Sequence, residues 1–144
     1  MIATAESCTG GMVAAALTDI AGSSAVVERG FVTYSNAAKV QMLGIQPDTL
    51  DAFGAVSEEI AREMAQGALR HSQAALSVSI TGIAGPGGSE HKPEGRVCFA
   101  TALGDMVHSE TVEFGPLGRA EVRAAACAHA LELLLDALGR PGPI

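Results

Sequence analysis

The order of strand-like and helix-like segments constrains the fold of this 144-residue chain more than any other feature. Short runs rich in β-branched residues alternate with Ala-rich helical segments, in the order β-α-β-α-α-β, followed by a hairpin and a last helix. This order supplies helices for both faces of one sheet, and the hairpin adds antiparallel strands. We therefore predict a single α/β domain over residues 1–144, a three-layer α/β/α sandwich with a mixed sheet of about five strands.

Local composition sets the expected bounds of each element. The expected strands are Ile2–Glu6, 25–35, 75–81, 96–104 and 107–114, the last two joined in a hairpin. The expected helices begin near Thr9 or Gly10, at Asn36, after an N-cap at Ser57, and at Arg119. Residues 45–57 are expected to be a connector. Residues 82–95 are expected to be a loop, because four glycines and a proline within seven positions exclude a regular element.

Charge and composition exclude several classes of partner. The formal net charge is −7, the pI is near 4.9, and no basic run exists anywhere. A nucleic-acid backbone would be repelled, so we expect no nucleic-acid partner. Only 17% of residues are charged, against about 25% in typical soluble domains. This low fraction of charged residues indicates that much of the chain's surface is buried between layers or at contacts between subunits. We therefore expect a homo-oligomer.

The cysteines and the amino-terminal segment indicate the compartment. Cys8, Cys98 and Cys127 are odd in number and far apart, with no CxxC and no histidine at ligand spacing. They predict neither a disulfide framework nor a metal site. No apolar run is long enough for a membrane span, and "MIATAESCTGG" lacks the basic and apolar regions of a signal peptide. We therefore expect a cytoplasmic protein without a membrane partner.

The stretch "ESCTGG", residues 6–11, lies where the first strand passes into a helix. Its hydroxyls and main-chain N–H groups could hold a phosphate or carboxylate at the positive end of the helix. Ser7 or Thr9 could instead simply cap the helix, and the sequence does not decide between these two interpretations. Cys8 could be a thiolate nucleophile, but no histidine lies nearby in the sequence to act as its base.

The glycine-rich loop after the third expected strand is not a phosphate-binding P-loop. Gly82 and Gly87 have the required spacing, but Gly88 stands where the lysine of that motif must be. No GxGxxG motif with a following acidic residue indicates a dinucleotide fold either. The loop follows Thr81 at a strand end, a common place for ligand contacts, although a plain surface loop is the alternative.

Arg119 and Arg123 lie four positions apart at the start of the last expected helix. Cations at this end oppose the helix dipole, at a cost of about 0.3–1 kcal/mol each. The pair therefore indicates a compensating anion. A ligand phosphate is one candidate, and a carboxylate such as Glu121 or Glu113 is the other and simpler one.

The stretch "YSNAAK" contains Tyr34, the only tyrosine, and Lys39, one of two lysines. A lysine at the start of a helix that follows a strand can reach back over the sheet edge, and burial can turn its amine into a base for a serine. The S-x-x-K motif is absent because Asn36 stands three positions before the lysine, so the partner would be Ser7 or Ser24. From these residues alone, a solvated lysine and a half-buried tyrosine are the simpler interpretation.

Several long strings together resemble one family. "TAESCTGG", "GSSAVVERGFVTYSNAAK", "GAVSEEIA" and "SITGIAGPGGSEHKPEGRV" are similar to the CinA carboxy-terminal domain family, the nicotinamide-nucleotide amidohydrolases. The resemblance runs from about Thr4 to Leu138. It implies hydrolysis of the carboxamide of nicotinamide mononucleotide, a small-molecule nucleotide, to nicotinic acid mononucleotide and ammonia in pyridine nucleotide recycling. It also implies a three-layer fold with a mixed five-stranded sheet, and neither metal nor cofactor.

The resemblance further implies a serine and lysine mechanism at Ser24, Ser7 and Lys39. Our hypothesis is that Ser24 is the nucleophile, Lys39 its base and Tyr34 the group that orients them, with Ser7 as the rival nucleophile. Substrate binding is assigned to Ser7, Thr9, Gly10 and Gly11 at the helix terminus, to Thr81 and the amides from Gly82 to Gly85 for the carboxamide or oxyanion, and to Arg119 or Arg123 for the 5′-phosphate.

Two departures from the family pattern affect these expectations. Relatives usually carry a helix before the first strand, so we expect one sheet face to be incompletely covered or the native start to lie upstream. Longer relatives also have an amino-terminal domain, whose activity we do not expect here. The alternative function is a non-catalytic nucleotide-binding or regulatory module that keeps the binding groups without the chemistry.

Overall fold

Five strands form one mixed sheet in the computed structural model, which describes residues 1–139. The strands are β1 (Ile2–Glu6), β2 (Val27–Val32), β3 (Leu76–Gly82), β4 (Arg96–Leu103) and β5 (Met106–Glu113). Their order is β2-β1-β3-β4-β5, with β1 parallel to both β2 and β3 and with β4 and β5 antiparallel to their neighbours. The prediction of a mixed, five-stranded sheet is confirmed.

Helices cover both faces of this sheet. They are α1 (Met12–Thr18), α2 (Asn36–Leu43), α3 (Pro47–Phe53), α4 (Glu58–Arg70) and α5 (Arg119–Gly139). One apolar cluster joins α1 and α5 to the sheet, and two others join α2 and α4 to the opposite face. The predicted three-layer α/β/α arrangement is therefore confirmed.

The prediction that residues 45–57 form only a connector is wrong, because helix α3 lies within this segment. Pro47 occupies the first helical position and Asp48 the first turn. Both features favour a helix start, since proline has no N–H to leave unpaired there and a carboxylate suits the positive helix end. A seven-residue helix with little apolar periodicity is nevertheless a weak signal in the sequence.

The first helix begins later than predicted. Gly10 and Gly11 have φ values of 58° and 106°, in the left-handed region that a right-handed helix cannot include. They form a turn, and α1 starts at Met12. The N-cap prediction at Ser57 is confirmed, because its hydroxyl accepts a hydrogen bond from the N–H of Ile60 at 3.2 Å.

Strand β3 shows how polar residues are accommodated at the centre of the protein. Val78 and Ile80 belong to the cluster under α5, whereas Ser77 and Ser79 face α4 and are fully buried. Their hydroxyls donate to the carbonyls of Ala65 at 2.7 Å and Ala61 at 2.6 Å. Small, hydrogen-bonded serines therefore let α4 lie close to the sheet.

Within residues 1–139, no helix combines the length and hydropathy needed to cross a bilayer.

We expect Gly67→Ala to destabilise the fold, because Gly67 on α4 lies against the end of α2. A Cβ at this position would stand 2.1 Å from the carbonyl oxygen of Leu43. The clash outweighs the gain in helix propensity, and the free energy of unfolding should fall by about 2 kcal/mol in chemical denaturation. The neighbouring exposed change Gln66→Ala is the control and should stay within about 0.5 kcal/mol. Equal stability of both variants would contradict this close approach of α2 and α4.

Candidate active site

The carboxyl ends of β1, β2 and β3 meet at one edge of the sheet, with β1 in the centre. The chain leaves β1 toward β2 on one side and later returns to β3 on the other. In parallel sheets, a reversal of strand order opens a crevice outside the strand ends. A pocket of about 210 Å³ lies there, lined by Ser7, Cys8, Tyr34, Asn36, Lys39, Ala55, Val56, Thr81, Gly82, Ala84, Glu90 and Arg119.

Ser7 and Lys39 form the polar centre of this pocket. The Lys39 amine lies 3.1 Å from the Ser7 hydroxyl oxygen and donates to the carbonyl of Thr33 at 2.9 Å. Ser7 follows β1 directly, and its N–H donates to the carbonyl of Ile80 on β3 at 2.9 Å. Ser35 caps α2 through the N–H of Ala38. Helix α2 thus begins immediately after the end of β2 and turns the lysine back over the strand ends.

Burial changes the acid–base chemistry of Lys39. Only 1% of the residue is exposed, and this desolvation lowers the pKa of its amine below the ordinary value of 10.5. The nearby Glu90 carboxylate acts in the opposite direction on this pKa, to a smaller extent. The amine is therefore biased toward its neutral form, in which one lone pair is available to accept a proton from a serine.

The helix terminus after Ser7 already holds an acidic group of the protein itself. Glu6 is fully buried, and its carboxyl oxygens accept from the hydroxyl of Thr9 at 2.7 Å and from the N–H groups of Val13 at 2.9 Å and Ala14 at 3.1 Å. The start of α1 is thus occupied by Glu6 rather than open to a ligand. The prediction of an anion cradle at this helix is corrected accordingly.

Of the residues assigned to that cradle, Ser7 lines the pocket, whereas Thr9, Gly10 and Gly11 do not. Thr9 is completely buried, and Gly10 and Gly11 shape the turn through their left-handed φ values. Arg123 also contributes to the turn, since its guanidinium donates to the carbonyls of Cys8 at 3.0 Å and Thr9 at 3.5 Å. These four residues support the position of Ser7 and are not among the residues that line the pocket.

Arg119 and Tyr34 lie together at the mouth of the pocket. The Arg119 guanidinium donates to the carbonyl of Gly85 at 2.7 Å and to the Tyr34 hydroxyl. Tyr34 is 59% exposed, and none of its hydrogen bonds goes to Ser7 or Lys39 in the described residues. The structure therefore places Tyr34 and Arg119 in the pocket lining, but it does not show Tyr34 orienting the pair.

The structure does not bring Ser24 to Lys39. Ser24 lies in the exposed 3-10 turn Ser23–Ala25, ahead of the amino end of β2. Lys39 contacts Thr33, which follows the carboxyl end of the same strand. A six-residue strand spans about 16 Å, so the two side chains are at opposite edges of the sheet. The expected pairing of Ser24 with Lys39 is corrected, and Ser7 takes its place.

Thr81 and the glycine-rich loop form another wall of the pocket. The Thr81 hydroxyl donates to the carbonyl of Ala55 at 2.8 Å and ties β3 to the segment before α4. Gly82 ends β3, and the N–H of Ile83 donates to the carbonyl of Arg96. The N–H of Ala84 has no acceptor among the described residues, and Ala84 is one of the residues that line the pocket.

Glu94 holds the outer part of this loop in place. Its carboxyl oxygens accept from the N–H groups of Gly87 at 2.7 Å and Gly118 at 3.1 Å. Gly118 directly precedes α5 and Arg119. A single side chain therefore links the glycine-rich loop to the element that carries Arg119, while Gly85 is held by the arginine itself.

Cys8 lines the pocket but does not have the properties of a thiolate nucleophile. Burial raises the pKa of its thiol to about 11, with nearby Arg123 and Lys39 only partly opposing the shift. The thiol therefore stays protonated at neutral pH.

Within residues 1–139, no cluster of three His, Cys, Asp or Glu side chains has the geometry to hold a metal ion.

Four lining positions are missed by reasoning from the sequence. Asn36 is expected there only as a helix residue, Ala55 and Val56 as parts of a connector, and Glu90 as part of a loop. The sequence contains no motif for any of them. They reach the pocket because α2, α4 and the loop after β3 all begin or end at the same sheet edge.

The chain is similar to known proteins in sequence. The family model of the CinA C-terminal domain matches residues 1–138. Nicotinamide-nucleotide amidohydrolase PncC of Escherichia coli strain K12 is 56% identical over 136 residues, which cover 92% of this chain and 81% of that protein.

Two solved structures are similar to this chain over nearly its whole length. The competence/damage inducible protein CihA from Agrobacterium tumefaciens superposes with a TM-score of 0.93 at 54% identity, over 97% of this chain and 86% of its own. The competence damage-inducible protein A from Klebsiella pneumoniae superposes with a TM-score of 0.94 at 36% identity, over 98% and 88% of the two chains. Both likenesses cover nearly the whole chain.

The buried amine should make Lys39 a source of instability. Folding favours its neutral form, so the unfolded chain binds the proton more tightly. The free energy of unfolding should therefore rise with pH from the folded-state pKa up to the unfolded value near 10.5. Lys39→Met removes this dependence and should raise the free energy of unfolding at neutral pH by about 1 kcal/mol.

The other lysine provides the matched control for this measurement. Lys92 donates to the carbonyls of Phe53 at 2.7 Å and Val56, so Lys92→Met should lower the free energy of unfolding by about 1 kcal/mol. Denaturant titrations across the pH range compare the two variants. A marked loss of stability in Lys39→Met would show that the hydrogen bonds of the amine outweigh its desolvation.

Proposed function

The chain belongs to the CinA C-terminal domain family, and from this premise we propose that it hydrolyses the carboxamide of nicotinamide mononucleotide to nicotinic acid mononucleotide and ammonia. The name of the Escherichia coli relative states this class of activity for that protein. The observation in this chain that carries the proposal is the 3.1 Å contact between the Lys39 amine and the Ser7 hydroxyl. It lies at the crevice where layered α/β proteins bind small molecules.

In the first step, Lys39 acts as general base and Ser7 as nucleophile. The neutral amine takes the hydroxyl proton while the serine oxygen attacks the carboxamide carbon. The separation of 3.1 Å is within the range for direct proton transfer. The carbonyl of Thr33 holds the amine in place and accepts one of its hydrogens, so the protonated amine that forms keeps a hydrogen-bond partner.

The tetrahedral intermediate carries a negative charge on the former carbonyl oxygen. The unpaired N–H of Ala84 in the pocket lining is the donor that we assign to this oxyanion. The hydroxyl of Thr81 is committed to Ala55, so we assign Thr81 to shaping the pocket wall rather than to this charge.

Collapse of the intermediate breaks the carbon–nitrogen bond. The Lys39 ammonium returns its proton to the leaving nitrogen, which departs as ammonia and leaves an ester on Ser7. Lys39 then takes a proton from a water molecule, whose oxygen attacks the ester carbon. The Lys39 ammonium returns this proton to the Ser7 oxygen as the carbon–oxygen bond to the serine breaks, which frees the serine hydroxyl and the product acid, and the acid ionises to the carboxylate. The same amine therefore serves as base and acid in both halves of the reaction.

Arg119 is the residue that we assign to the 5′-phosphate. It lies at the pocket mouth, it is exposed, and its two hydrogen bonds go to neutral groups, the Gly85 carbonyl and the Tyr34 hydroxyl. A phosphate offers a guanidinium a charge-assisted, bidentate partner that neither of these groups can match. Tyr34 is assigned to positioning Arg119.

Ser7→Ala should abolish turnover. We expect ammonia release from nicotinamide mononucleotide to fall by roughly 10³-fold or more, because the nucleophile is lost while the fold is kept. Ser24→Ala is the matched control and should keep the parent rate. If Ser24→Ala were inactive and Ser7→Ala active, the assignment of the nucleophile would be reversed. A folded parent that binds the nucleotide without releasing ammonia would support a binding module instead.

The rate should also depend on the protonation of Lys39. Because burial lowers the pKa of this amine, kcat/KM should rise with pH as the amine loses its proton, with a midpoint below the ordinary lysine value of 10.5. Initial rates from about pH 6 to about pH 10 measure this limb. Lys92→Met should give the parent profile. A profile without a rising limb in this range would argue against Lys39 as the base.

A further inference from the structure

We propose that Glu90 selects the positively charged nicotinamide ring and disfavours the deamidated product, and so determines which nucleotide the pocket prefers. This inference rests on the proposed function, because the charge difference that it uses is the one between substrate and product. The nicotinamide ring of the nucleotide carries a permanent positive charge on its quaternary nitrogen. Hydrolysis adds a negative carboxylate to the same ring.

Glu90 is the acidic residue of the pocket lining. It shares the pocket with Ser7, Lys39 and Arg119, and within residues 1–139 no other carboxylate lines this cavity. Its charge is felt at Lys39. A carboxylate in the pocket lining attracts a ring with a net positive charge, whereas the product ring is net neutral and its own carboxylate is repelled.

The turn that carries Glu90 has an unusual sequence for its shape. Ser89 and Lys92 exchange two main-chain hydrogen bonds, of 2.9 Å and 2.8 Å. Between them, Glu90 and His91 have φ values of 53° and 62°, and they are the non-glycine residues with positive φ among those described. Two-residue turns of this kind normally contain Asn-Gly. The strained placement of a glutamate at the pocket rim is typical of a side chain kept for function.

The Glu90 carboxylate is free to interact with a ligand. It has no hydrogen bond or ion pair in the described part of the chain, whereas Glu94, four positions later, is held by two main-chain N–H groups. The amine of Lys92 is close to it but donates to the carbonyls of Phe53 and Val56. One acidic residue of this loop is therefore structural, and the other faces the cavity without a partner.

The side chain of Glu90 is exposed and makes one close approach to the main chain. It lies across Gly54, where an added Cβ would stand 2.7 Å from its carboxyl oxygen and 3.0 Å from the Lys92 amine. Gly54 has a φ of 76°, and the absence of a side chain at this position leaves room for the Glu90 carboxylate.

The test compares two substrates that differ in ring charge. Nicotinamide mononucleotide has the cationic ring, and its dihydro form has an uncharged ring with the same carboxamide, ribose and phosphate. For Glu90→Gln, we expect KM to rise about tenfold for the cationic substrate and to stay unchanged for the uncharged one, with kcat within about twofold for both. Nicotinic acid mononucleotide should become a tighter inhibitor. Glu132→Gln, whose side chain is 73% exposed on α5, is the matched control.

Binding measurements separate this inference from the proposed function. Calorimetric titration of Ser7→Ala and of Ser7→Ala with Glu90→Gln, using both nucleotides, reports ring selection without turnover. If the parent releases no ammonia but Glu90→Gln weakens binding of the cationic form alone, the proposed function fails and the role of Glu90 stands. If Glu90→Gln affects both forms equally or neither, or if neither nucleotide binds, the role of Glu90 is overturned whatever the turnover.

Discussion

The candidate site depends on one amine being held out of water at the ends of parallel strands. Lys39 is among the largest fully buried side chains of the described structure. Its neighbours, Ser7 and the carbonyl of Thr33, are neutral groups that cannot fully replace the water it has lost. The protein therefore accepts a destabilising position in order to keep a base beside a hydroxyl, a trade often found where chemistry is performed.

The surrounding structure holds Ser7 and Lys39 in position relative to each other. Glu6 ties the turn after β1 to the start of α1, and Arg123 ties the same turn to α5. Groups that would suit a phosphate in isolation are thus used to fix Ser7 in position. The contacts left for a ligand are at the rim, where Arg119 supplies positive charge and Glu90 supplies negative charge. We propose that these two charges bind the two oppositely charged parts of a nicotinamide nucleotide.

The elements could be predicted to a large extent, and the pairing of side chains could not. Helix α2 begins at Asn36, as predicted. The N-caps of α2 and α4 follow from local chemistry. Ser24 and Ser7 are equally good partners for a lysine when only the sequence is considered, since both stand beside a strand. The distinction is that Ser7 follows β1 and Ser24 precedes β2, and opposite ends of parallel strands lie at opposite edges of the sheet.

The sequence by itself determined the family and the three-layer fold, because long motifs and strand and helix periodicities are local properties of the chain. Only the tertiary structure decided which serine meets Lys39, that Glu6 occupies the helix terminus, and that Glu90 reaches the pocket. These contacts join residues far apart in the chain, such as Ser7 with Lys39. They depend on strand order and on which carboxyl ends converge, and neither is encoded in any single stretch of sequence.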